Sequence, residues 1–314
     1  MTEIEVAIVL DMDPFMFEHL AERYQVHYWP DLRDNPRYLQ SAAAKRIRAV
    51  QTNGSYGLKR DQMDALPALE IIAVVGAGFE GVDLAAARER GIVVTYGAGL
   101  NAAAVAEQAW ALLLAVVHEV PRRDRGLRDG LWTEIRSSLP NVTGRKLGIF
   151  GLGNIGKAMA RRGIGFEMEI GYASRTRQPD APYRYFDRLV DLAGWCDVLM
   201  VAAPGGPATR HAVNADVLTA LGPQGYVVNI ARGTIVDSTA LAEALRAGRI
   251  AGAGLDVFEG EPVRPAALVD APNIVWSPHI GGHSPDAIHA MVRKVRANLD
   301  AHFAGQPVLT PVPG

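Results

Sequence analysis

Short β-branched runs alternate with segments of helical periodicity along most of the chain. In the first third, strands are predicted for EVAIVL, QVHYW, AVQTN, IIAVVG and IVVTY, and helices for PFMFEHLAERY, the Ala- and Arg-bearing segment 41–48, and DLAAARERG. The alternation resumes at RKLGIFGLG and continues to IAGAGLDV. A last helix, from about Pro285 to Phe303, could pack on either half. Alternating strands and helices build parallel sheets, so the pattern predicts an α/β protein with two doubly wound parallel-sheet units.

A long helical stretch, from Asn101 to about Arg128, lies between the two predicted units. Its apolar segment 102–117, AAAVAEQAWALLLAVV, is interrupted by Glu107 and Gln108 and falls short of a clean membrane span. The segment therefore indicates a buried or interface helix. We expect it to form a homodimer interface in the 101–128 region, with burial inside one chain as the alternative.

Length, charge and composition narrow the choice of partner. The 314 residues exceed one ordinary core and fit two domains, and two domains imply a cleft. With a formal net charge of -2, the chain lacks the excess of basic residues that would bind nucleic acid or an anionic membrane. A small molecule is therefore the expected partner. The acidic N-terminus, MTEIEVAIVLDMD, predicts a first strand and not a signal peptide, which favours a cytoplasmic location. Cys196 is the single cysteine, and its apolar neighbours indicate a buried thiol.

A glycine-rich turn carries the first specific chemistry. Gly151, Gly153 and Gly156 form G-x-G-x-x-G between the apolar strand LGIF and a predicted helix, with Asn154 and Ile155 in the same turn. The first glycine allows a tight turn, the second lets the backbone approach a pyrophosphate, and the third permits close contact between helix and strand. The helix N-terminus adds N–H donors and a positive dipole. This turn therefore predicts a dinucleotide site.

The residues at the end of the next strand indicate whether the site suits NAD(H) or NADP(H). An Asp or Glu usually stands there and bonds the ribose 2′-hydroxyl, whereas this chain has Ser174, Arg175, Thr176 and Arg177. Two guanidinium groups beside two hydroxyls would bind a 2′-phosphate, which a carboxylate would repel. The stretch therefore favours NADP(H), with NAD(H) as the alternative if the arginines belong only to a solvated surface loop.

Three later stretches place ionisable groups after successive predicted strands, where α/β sheets bind their ligands. They are VNIARGTIVD with Arg232, GLDVFEGEP with Asp256, Glu259 and Glu261, and WSPHIGG with His279. Taken singly, each could be a surface arginine, a loop acid or a packed histidine, but their joint occurrence favours a site. The remaining histidines, such as His19, His27, His118 and His289, lack partners at ligand spacing, and no metal site is predicted.

These stretches, with GLGNIG, resemble the D-isomer-specific 2-hydroxyacid dehydrogenase family, as do VVGAGFEGVD at 74–83 and GAGLNAAAVAEQAWALLLAV at 97–116. The resemblance covers nearly the whole chain. It implies a Rossmann cofactor domain over residues 99–284 and a flavodoxin-like substrate domain over 1–98 and 285–314, with a cleft between them.

The resemblance also implies roles for particular residues. Arg232 binds substrate, His279 donates the proton, and Glu261 holds the histidine. The chemistry agrees, because a carboxylate favours a charged imidazolium and a planar arginine suits a 2-oxo acid. Glu259 is the alternative candidate for the acid that pairs with His279. We prefer Glu261 because the family's motif places this glutamate directly before a proline, here Pro262.

Further positions follow from the same resemblance. Asp256 would lie near the nicotinamide carboxamide, and Pro204, Ile230, Ala231 and Gly281 would complete the cofactor site. In the other domain, backbone N–H groups at Ala77 and Gly78 would meet the substrate carboxylate. Ser55 or Tyr56 in NGSYG could also face substrate, although a plain turn is the favoured interpretation of that stretch.

The expected function is an NADPH-preferring reductase of small 2-oxo acids such as glyoxylate and hydroxypyruvate, forming D-2-hydroxy acids. Hydroxyphenylpyruvate is a larger substrate of similar proteins. Glu261 favours carbonyl chemistry over formate oxidation, for which similar enzymes carry Gln. The alternative function is a dinucleotide-sensing binding protein of the corepressor type, because a fold does not fix a function.

Overall fold

The computed structural model describes residues 3–11 and 14–313, and these divide into two compact units. Of the described residues, unit 1 comprises 3–11, 14–101 and 282–313, and unit 2 comprises 102–281. Each unit is built around its own parallel sheet, so the predicted fold class of two parallel-sheet α/β units is confirmed.

Unit 1 contains a five-stranded sheet in the order β2-β1-β3-β4-β5. Its strands are β1 Glu5–Ile8, β2 Gln25–Tyr28, β3 Ile47–Asn53, β4 Ile71–Val75 and β5 Val93–Thr95, and its helices are α1 Pro14–Ala21, α2 Arg60–Asp64, α3 Leu84–Glu89 and α10 Pro285–Phe303. The central strands β1 and β4 are buried along their whole length, as a sheet covered on both faces requires. The last helix, α10, packs against α1 and β4 of this unit.

Unit 2 contains a seven-stranded parallel sheet in the order β12-β11-β10-β9-β6-β7-β8. Its strands are β6 Lys146–Phe150, β7 Glu169–Ala173, β8 Arg184–Phe186, β9 Val198–Val201, β10 Tyr226–Asn229, β11 Gly252–Leu255 and β12 Ile274–Trp276, and its helices are α4 Ala102–Val117, α5 Val120–Arg128, α6 Asn154–Gly165, α7 Leu189–Trp195, α8 Ala215–Leu221 and α9 Ser238–Arg246. From β6 the chain adds β7 and β8 on one side and then β9 to β12 on the other, so the strand order reverses between β6 and β9. Open α/β sheets bind ligands at such a switch point, beyond the carboxyl ends of the strands.

The helix predicted for residues 41–48 is wrong. Residues 41–46 form turns, and β3 begins at Ile47, whose Cα is paired with that of Glu5 in β1. So short a segment gains little from alanine propensity, because helix nucleation is unfavourable. Pairing of β3 between β1 and β4 therefore decides the local structure.

The helical stretch expected from Asn101 to about Arg128 consists of two helices, because it is broken at residues 118 and 119. Glu119 has a left-handed φ of 48°, Pro121 lies in the first turn of α5, and the axes of α4 and α5 differ by 57°. Proline fits the first turn of a helix because its missing N–H has no partner there in any case. The new helix therefore starts just before Pro121.

Helix α4 is mostly buried within its own unit. Val105, Trp110, Leu113 and Val116 belong to the core formed with β6 and α6. Within the described part of the chain, no single helix is long and apolar enough to span a membrane, although α4 and α5 pass that test as a bent pair. The apolar sequence of α4 thus has an internal explanation, as the alternative interpretation of segment 102–117 expected.

Candidate active site

The glycine turn joins the end of β6 to the start of α6 at the switch point of the unit 2 sheet. Gly151 has a φ of +99°, and a Cβ added there would lie 2.6 Å from the backbone N of Ala203. A Cβ on Gly156 would lie 2.2 Å from the Gly151 carbonyl oxygen, whereas one on Gly153 would meet no heavy atom within 4 Å. The outer glycines thus allow tight packing, and Gly153 faces open space. A pyrophosphate at the α6 N-terminus, beside Asn154 and Ile155, fits this turn.

The stretch after β7 is an ordered loop. The Ser174 hydroxyl donates to the Thr176 carbonyl at 2.8 Å, and the Gln178 backbone N–H donates to the Tyr172 hydroxyl at 2.9 Å. The Gln178 side-chain amide donates to the Leu152 carbonyl at 2.7 Å, which ties this loop to the glycine turn. The hydrogen bonds fix the backbone at the position where a dinucleotide fold binds the adenosine ribose.

The arginines of this loop are exposed cations. Arg175 and Arg177 have no ion-pair partner among the described residues. Arg177 also lines a pocket of about 610 Å³, together with Lys157 and Arg161 from one face of α6. The sequence analysis missed these two basic residues, although their i,i+4 spacing directly after Gly156 was a usable signal. The loop and pocket together concentrate positive charge beside the glycine turn.

Other predicted cofactor residues follow β9 and β10. Pro204 lies in the loop after β9, where its carbonyl accepts a hydrogen bond from the Thr209 hydroxyl at 2.8 Å. Ile230 and Ala231 follow β10 directly and are buried. The Ala231 N–H donates to the Asn229 side-chain oxygen at 3.1 Å. These residues share with the glycine turn the carboxyl edge of the unit 2 sheet.

Asp256, at the end of β11, is 2% exposed and organises the turn that carries His279. Its Oδ1 accepts hydrogen bonds from the Ser277 hydroxyl at 2.5 Å and the Ile280 N–H at 3.0 Å, and its Oδ2 accepts one from the Gly281 N–H at 2.9 Å. The Asp256 carbonyl accepts the His279 N–H at 2.8 Å. Asp256 and Gly281, both predicted from resemblance as cofactor residues, are therefore also parts of the scaffold beneath His279.

Arg232 stands at the end of the segment that follows β10. Its carbonyl accepts a hydrogen bond from the Asn229 side-chain amide at 3.0 Å, and its Nη1 donates to the Ala231 carbonyl at 2.6 Å. Gly205 leaves room for its stem, since a Cβ there would lie 2.7 Å from the Arg232 Cγ. These backbone and packing contacts thus fix the position of the Arg232 main chain and of the first part of its side chain.

His279 and Glu261 form a close pair. His279 Nδ1 lies 2.7 Å from Glu261 Oε2, and the two side chains are 41% and 28% exposed. Glu261 Oε1 accepts the Phe258 N–H at 2.8 Å. Burial alone would raise the pKa of Glu261, but hydrogen bonds from His279 and Phe258, with the charges of His279 and Arg232, hold this pKa below its ordinary value.

The ionised state of Glu261 decides how the imidazole is used. A carboxylate only accepts hydrogen bonds, so Nδ1 of His279 carries the shared proton and Nε2 is the ring atom available to a ligand. In a charged imidazole, the Nδ1–H donates to Glu261 and the Nε2–H can be transferred to a ligand. With Arg232 close enough to lower the pKa of Glu261, the site can grip a carboxylate and protonate an oxygen beside it.

Glu259, the rival for Glu261, has a different partner. Its Oε1 lies 2.7 Å from Nε2 of His211, in the loop after β9, and its Oε2 accepts the Ser238 N–H at 3.1 Å. The sequence analysis assigned no role to His211. Hydrophobic periodicity carries no signal for this contact, because both residues lie in loops and are 48 positions apart.

Unit 1 brings its two predicted substrate segments together. Ala77 and Gly78 follow β4, and the turn at 53–57 follows β3. The Gly81 N–H donates to the Gly54 carbonyl at 2.7 Å, and a Cβ on Gly54 would lie 2.3 Å from the Gly78 carbonyl oxygen. The two loops therefore pack backbone against backbone, which only glycine allows.

Ser55 belongs to an ordinary turn. Its N–H donates to the Asn53 side-chain oxygen at 3.1 Å, and its carbonyl accepts from the Arg33 guanidinium at 3.2 Å. These contacts agree with the favoured interpretation of NGSYG as a plain turn. Across residues 3–11 and 14–313, no group of three or more His, Cys, Asp or Glu side chains is arranged to hold a metal ion.

Comparison with known proteins establishes the class. The family described as D-isomer specific 2-hydroxyacid dehydrogenase, NAD binding domain, matches residues 110–281. A hydroxyphenylpyruvate reductase of Plectranthus scutellarioides is 39% identical over 99% of this chain and 100% of its own length. A glyoxylate/hydroxypyruvate reductase A of Arabidopsis thaliana is 38% identical with the same coverage. The chain belongs to the D-isomer specific 2-hydroxyacid dehydrogenase family.

A solved structure agrees with the sequence relatives. The NADPH-dependent glyoxylate/hydroxypyruvate reductase of Sinorhizobium meliloti, in complex with NADP and malonate, superposes with a TM-score of 0.91 at 38% identity. The alignment covers 99% of this chain and 97% of that one. The predicted family and the prediction that the chain is an oxidoreductase of this dehydrogenase class are confirmed.

Proposed function

We propose that this protein is an NADPH-preferring reductase that converts small 2-oxo acids, such as glyoxylate and hydroxypyruvate, into D-2-hydroxy acids. The observation that carries the proposal is the 2.7 Å contact between His279 Nδ1 and Glu261 Oε2, close to the charge of Arg232. The names of the relatives above support the same class of substrate.

The chain's own groups have complementary tasks in this reaction. The planar guanidinium of Arg232 binds the substrate carboxylate and polarises the neighbouring carbonyl. The turn of Gly151, Gly153 and Gly156 would hold a nicotinamide dinucleotide, which would supply a hydride for the carbonyl carbon. His279 gives its Nε2 proton to the carbonyl oxygen, which becomes the hydroxyl, and Glu261 fixes the ring and compensates its positive charge. The backbone N–H groups of Ala77 and Gly78 are proposed as further carboxylate donors.

The proton donor can be tested by replacing His279 with alanine. General acid catalysis contributes roughly a hundredfold to ten-thousandfold, so we expect turnover to fall by at least a hundredfold while NADPH affinity stays unchanged. The control is H302A, because His302 lies on α10 of unit 1 and contacts Glu70 at 3.3 Å. An H279A variant that turns over like the H302A control would remove His279 from the mechanism.

The NADPH preference rests on the basic loop after β7. Arg175 and Arg177 are exposed and have no carboxylate partner among the described residues. Arg177 also lines a pocket with Lys157 and Arg161, whose lining contains one acid, Asp180. Charge-assisted hydrogen bonds to phosphate favour a cofactor that carries one on its ribose. NADH remains a weaker alternative cofactor in this proposal.

The cofactor proposal is tested with R175A. A hydrogen bond to a charged group contributes about 1.5–3 kcal/mol, so we expect the KM for NADPH to rise by about tenfold or more and the KM for NADH to stay unchanged. The matched control is R188A, which removes an exposed arginine that lies 3.8 Å from Asp191. Equal changes in the KM for NADPH and the KM for NADH would contradict the proposed preference.

A homodimer through the 101–128 region is a further part of the proposal. Helix α4 is largely buried in its own unit, so the apolar side chains that this region leaves for a partner are those of α5, Val120 and Leu127, each 52% exposed. We expect the protein to elute as a dimer and L127E to shift it towards monomer. Elution of the unmodified protein as a monomer at every concentration would refute the dimer. A cytoplasmic location stays a prediction.

A further inference from the structure

A second histidine–glutamate pair joins His211, in the loop after β9, to Glu259, on the loop that carries Glu261. His211 Nε2 is 2.7 Å from Glu259 Oε1, and His211 Nδ1 is 3.8 Å from Asp237 Oδ2. Arg210 is the other charged group at this place, with its Nη2 4.0 Å from Glu259 Oε1. The proposed mechanism gives this cluster no task.

Glu259 connects two elements at once. While Oε1 faces His211, Oε2 accepts the N–H of Ser238, the first residue of α9, at 3.1 Å. Burial would raise the pKa of Glu259, but the hydrogen bonds from His211 and Ser238 hold it below its ordinary value. Glu259 is therefore an anion near neutral pH, and an anion only accepts, so His211 donates through Nε2.

The turn that contains Arg232 is flanked by two loops, the loop after β9 and the loop of Glu259. The loop after β9 joins it through the His211 N–H, which donates to the Thr234 carbonyl at 2.8 Å. The loop of Glu259 lies directly against it, because a Cβ on Gly233 would lie 2.1 Å from the Phe258 carbonyl oxygen. The side-chain contact between His211 and Glu259 links these two flanking loops across the Arg232 turn.

The backbone at His211 is strained. Its φ is +50°, in the left-handed region that residues other than glycine seldom occupy, and His279 has a φ of +54°. Each of these histidines contacts a glutamate of the same short loop, Glu259 or Glu261. Strained backbone persists where surrounding contacts over-determine it, and such positions cluster at functional sites.

We propose that His211 and Glu259 are a positioning pair that holds the Arg232 turn against the Glu261 loop and so places the Arg232 guanidinium for the substrate carboxylate. The proposal rests on the proposed function of Arg232 as the carboxylate-binding group. It assigns His211 no contact with the reacting atoms. Loss of the pair lets the turn and the loop move apart, which weakens the grip on a carboxylate while the glycine turn that binds dinucleotide keeps its geometry.

Three variants of His211 test the pair. H211A removes the hydrogen bond, H211Q can present an amide N–H near the position of Nε2, and H211N presents one near Nδ1, on the Asp237 side. For H211A and H211N we expect the KM for glyoxylate to rise at least tenfold, the Kd for NADPH to stay within twofold, and kcat to change less than KM. H211Q is expected to stay within threefold of the unmodified protein in KM.

A binding measurement separates this proposal from the proposed reaction. The affinity of the NADP-loaded protein for malonate, an unreactive dicarboxylate, is measured by calorimetry for each variant. H211A and H211N should weaken it at least tenfold, and this readout holds even if the unmodified protein reduces no 2-oxo acid. The control is H27Q, because His27 contacts Glu5 at 2.8 Å in unit 1 and shares the chemistry of the pair.

The two His211 amide variants keep the proposal falsifiable if H211A does not fold. Equal malonate affinities for folded H211Q and H211N would overturn it, as would unchanged affinity in folded H211A. A parallel loss of NADPH and malonate affinity in H211N would show that His211 supports the unit as a whole, and would also overturn the positioning role.

Discussion

Replacing Glu261 with glutamine removes one negative charge and preserves the shape of the side chain. The substitution removes the negative charge from the 2.7 Å hydrogen bond between His279 Nδ1 and Glu261 Oε2, in which both groups are partly exposed, although the amide oxygen can still accept. A hydrogen bond between charged groups contributes about 1.5–3 kcal/mol. If this whole contribution is lost from the stabilisation of the transition state, kcat/KM decreases by about tenfold to 150-fold.

The assay is the initial rate of NADPH consumption with glyoxylate at pH 7. The control is E243Q, since Glu243 is an exposed acid on α9 whose nearest cation, Arg249, is 3.9 Å away. We expect E261Q to lose at least tenfold in kcat/KM and E243Q to lose nothing measurable. Activity of E261Q equal to that of E243Q would refute the account of the His279–Glu261 pair.

The same variant makes a pH prediction for stability. The folded protein holds the pKa of Glu261 below its ordinary value of 4.5, so the stabilising contribution of the ionised carboxylate is present above pH 4.5. It is lost as the pH falls below 4.5 and through the folded pKa. The difference in Tm between the unmodified protein and E261Q should therefore be constant at neutral pH and shrink below pH 4.5; a difference that grew on acidification would contradict the assigned charge.

Three further predictions concern the scaffold. G156A should lower the free energy of unfolding by about 1–3 kcal/mol in a urea titration, because its Cβ would overlap the backbone, whereas G153A should leave stability unchanged and weaken only dinucleotide binding. D256N should also destabilise the protein by about 1–3 kcal/mol, because an amide cannot accept all the N–H groups that the Asp256 carboxylate accepts; equal unfolding curves would contradict this. Cys196 is buried, and burial raises the pKa of its thiol to about 12, so a thiol reagent should modify it only when the protein unfolds.

Much of the fold was predictable because its determinants are local in sequence. The buried strands appear as short apolar runs between helical segments, and α10 has the predicted ends, Pro285 and Phe303. The site residues follow strands, and a parallel sheet brings the carboxyl ends of its strands to one edge. This reasoning placed the acidic loop and His279 at one edge, and the family resemblance, not the sheet geometry, implied that Glu261 rather than Glu259 pairs with His279.

The parts that were not predictable depend on tertiary contacts or on backbone geometry. Segment 41–48 has a helical composition, but pairing of β3 with β1 and β4 overrides it. The break at Glu119 depends on a left-handed backbone residue, although Pro121 just after it is a sequence signal for the start of a new helix. The contact of His211 with Glu259 depends on a left-handed residue and two loops, for which hydrophobic periodicity carries no signal.

The central claim is the reduction of small 2-oxo acids with NADPH. It is tested most directly by the initial rate of cofactor consumption by the purified protein, with NADPH or NADH and with glyoxylate, hydroxypyruvate or hydroxyphenylpyruvate in separate reactions. The account predicts fast turnover with NADPH, slower turnover with NADH, and preference for the two small acids. Tight dinucleotide binding without turnover of any of the three acids would contradict the reductase and favour a dinucleotide sensor.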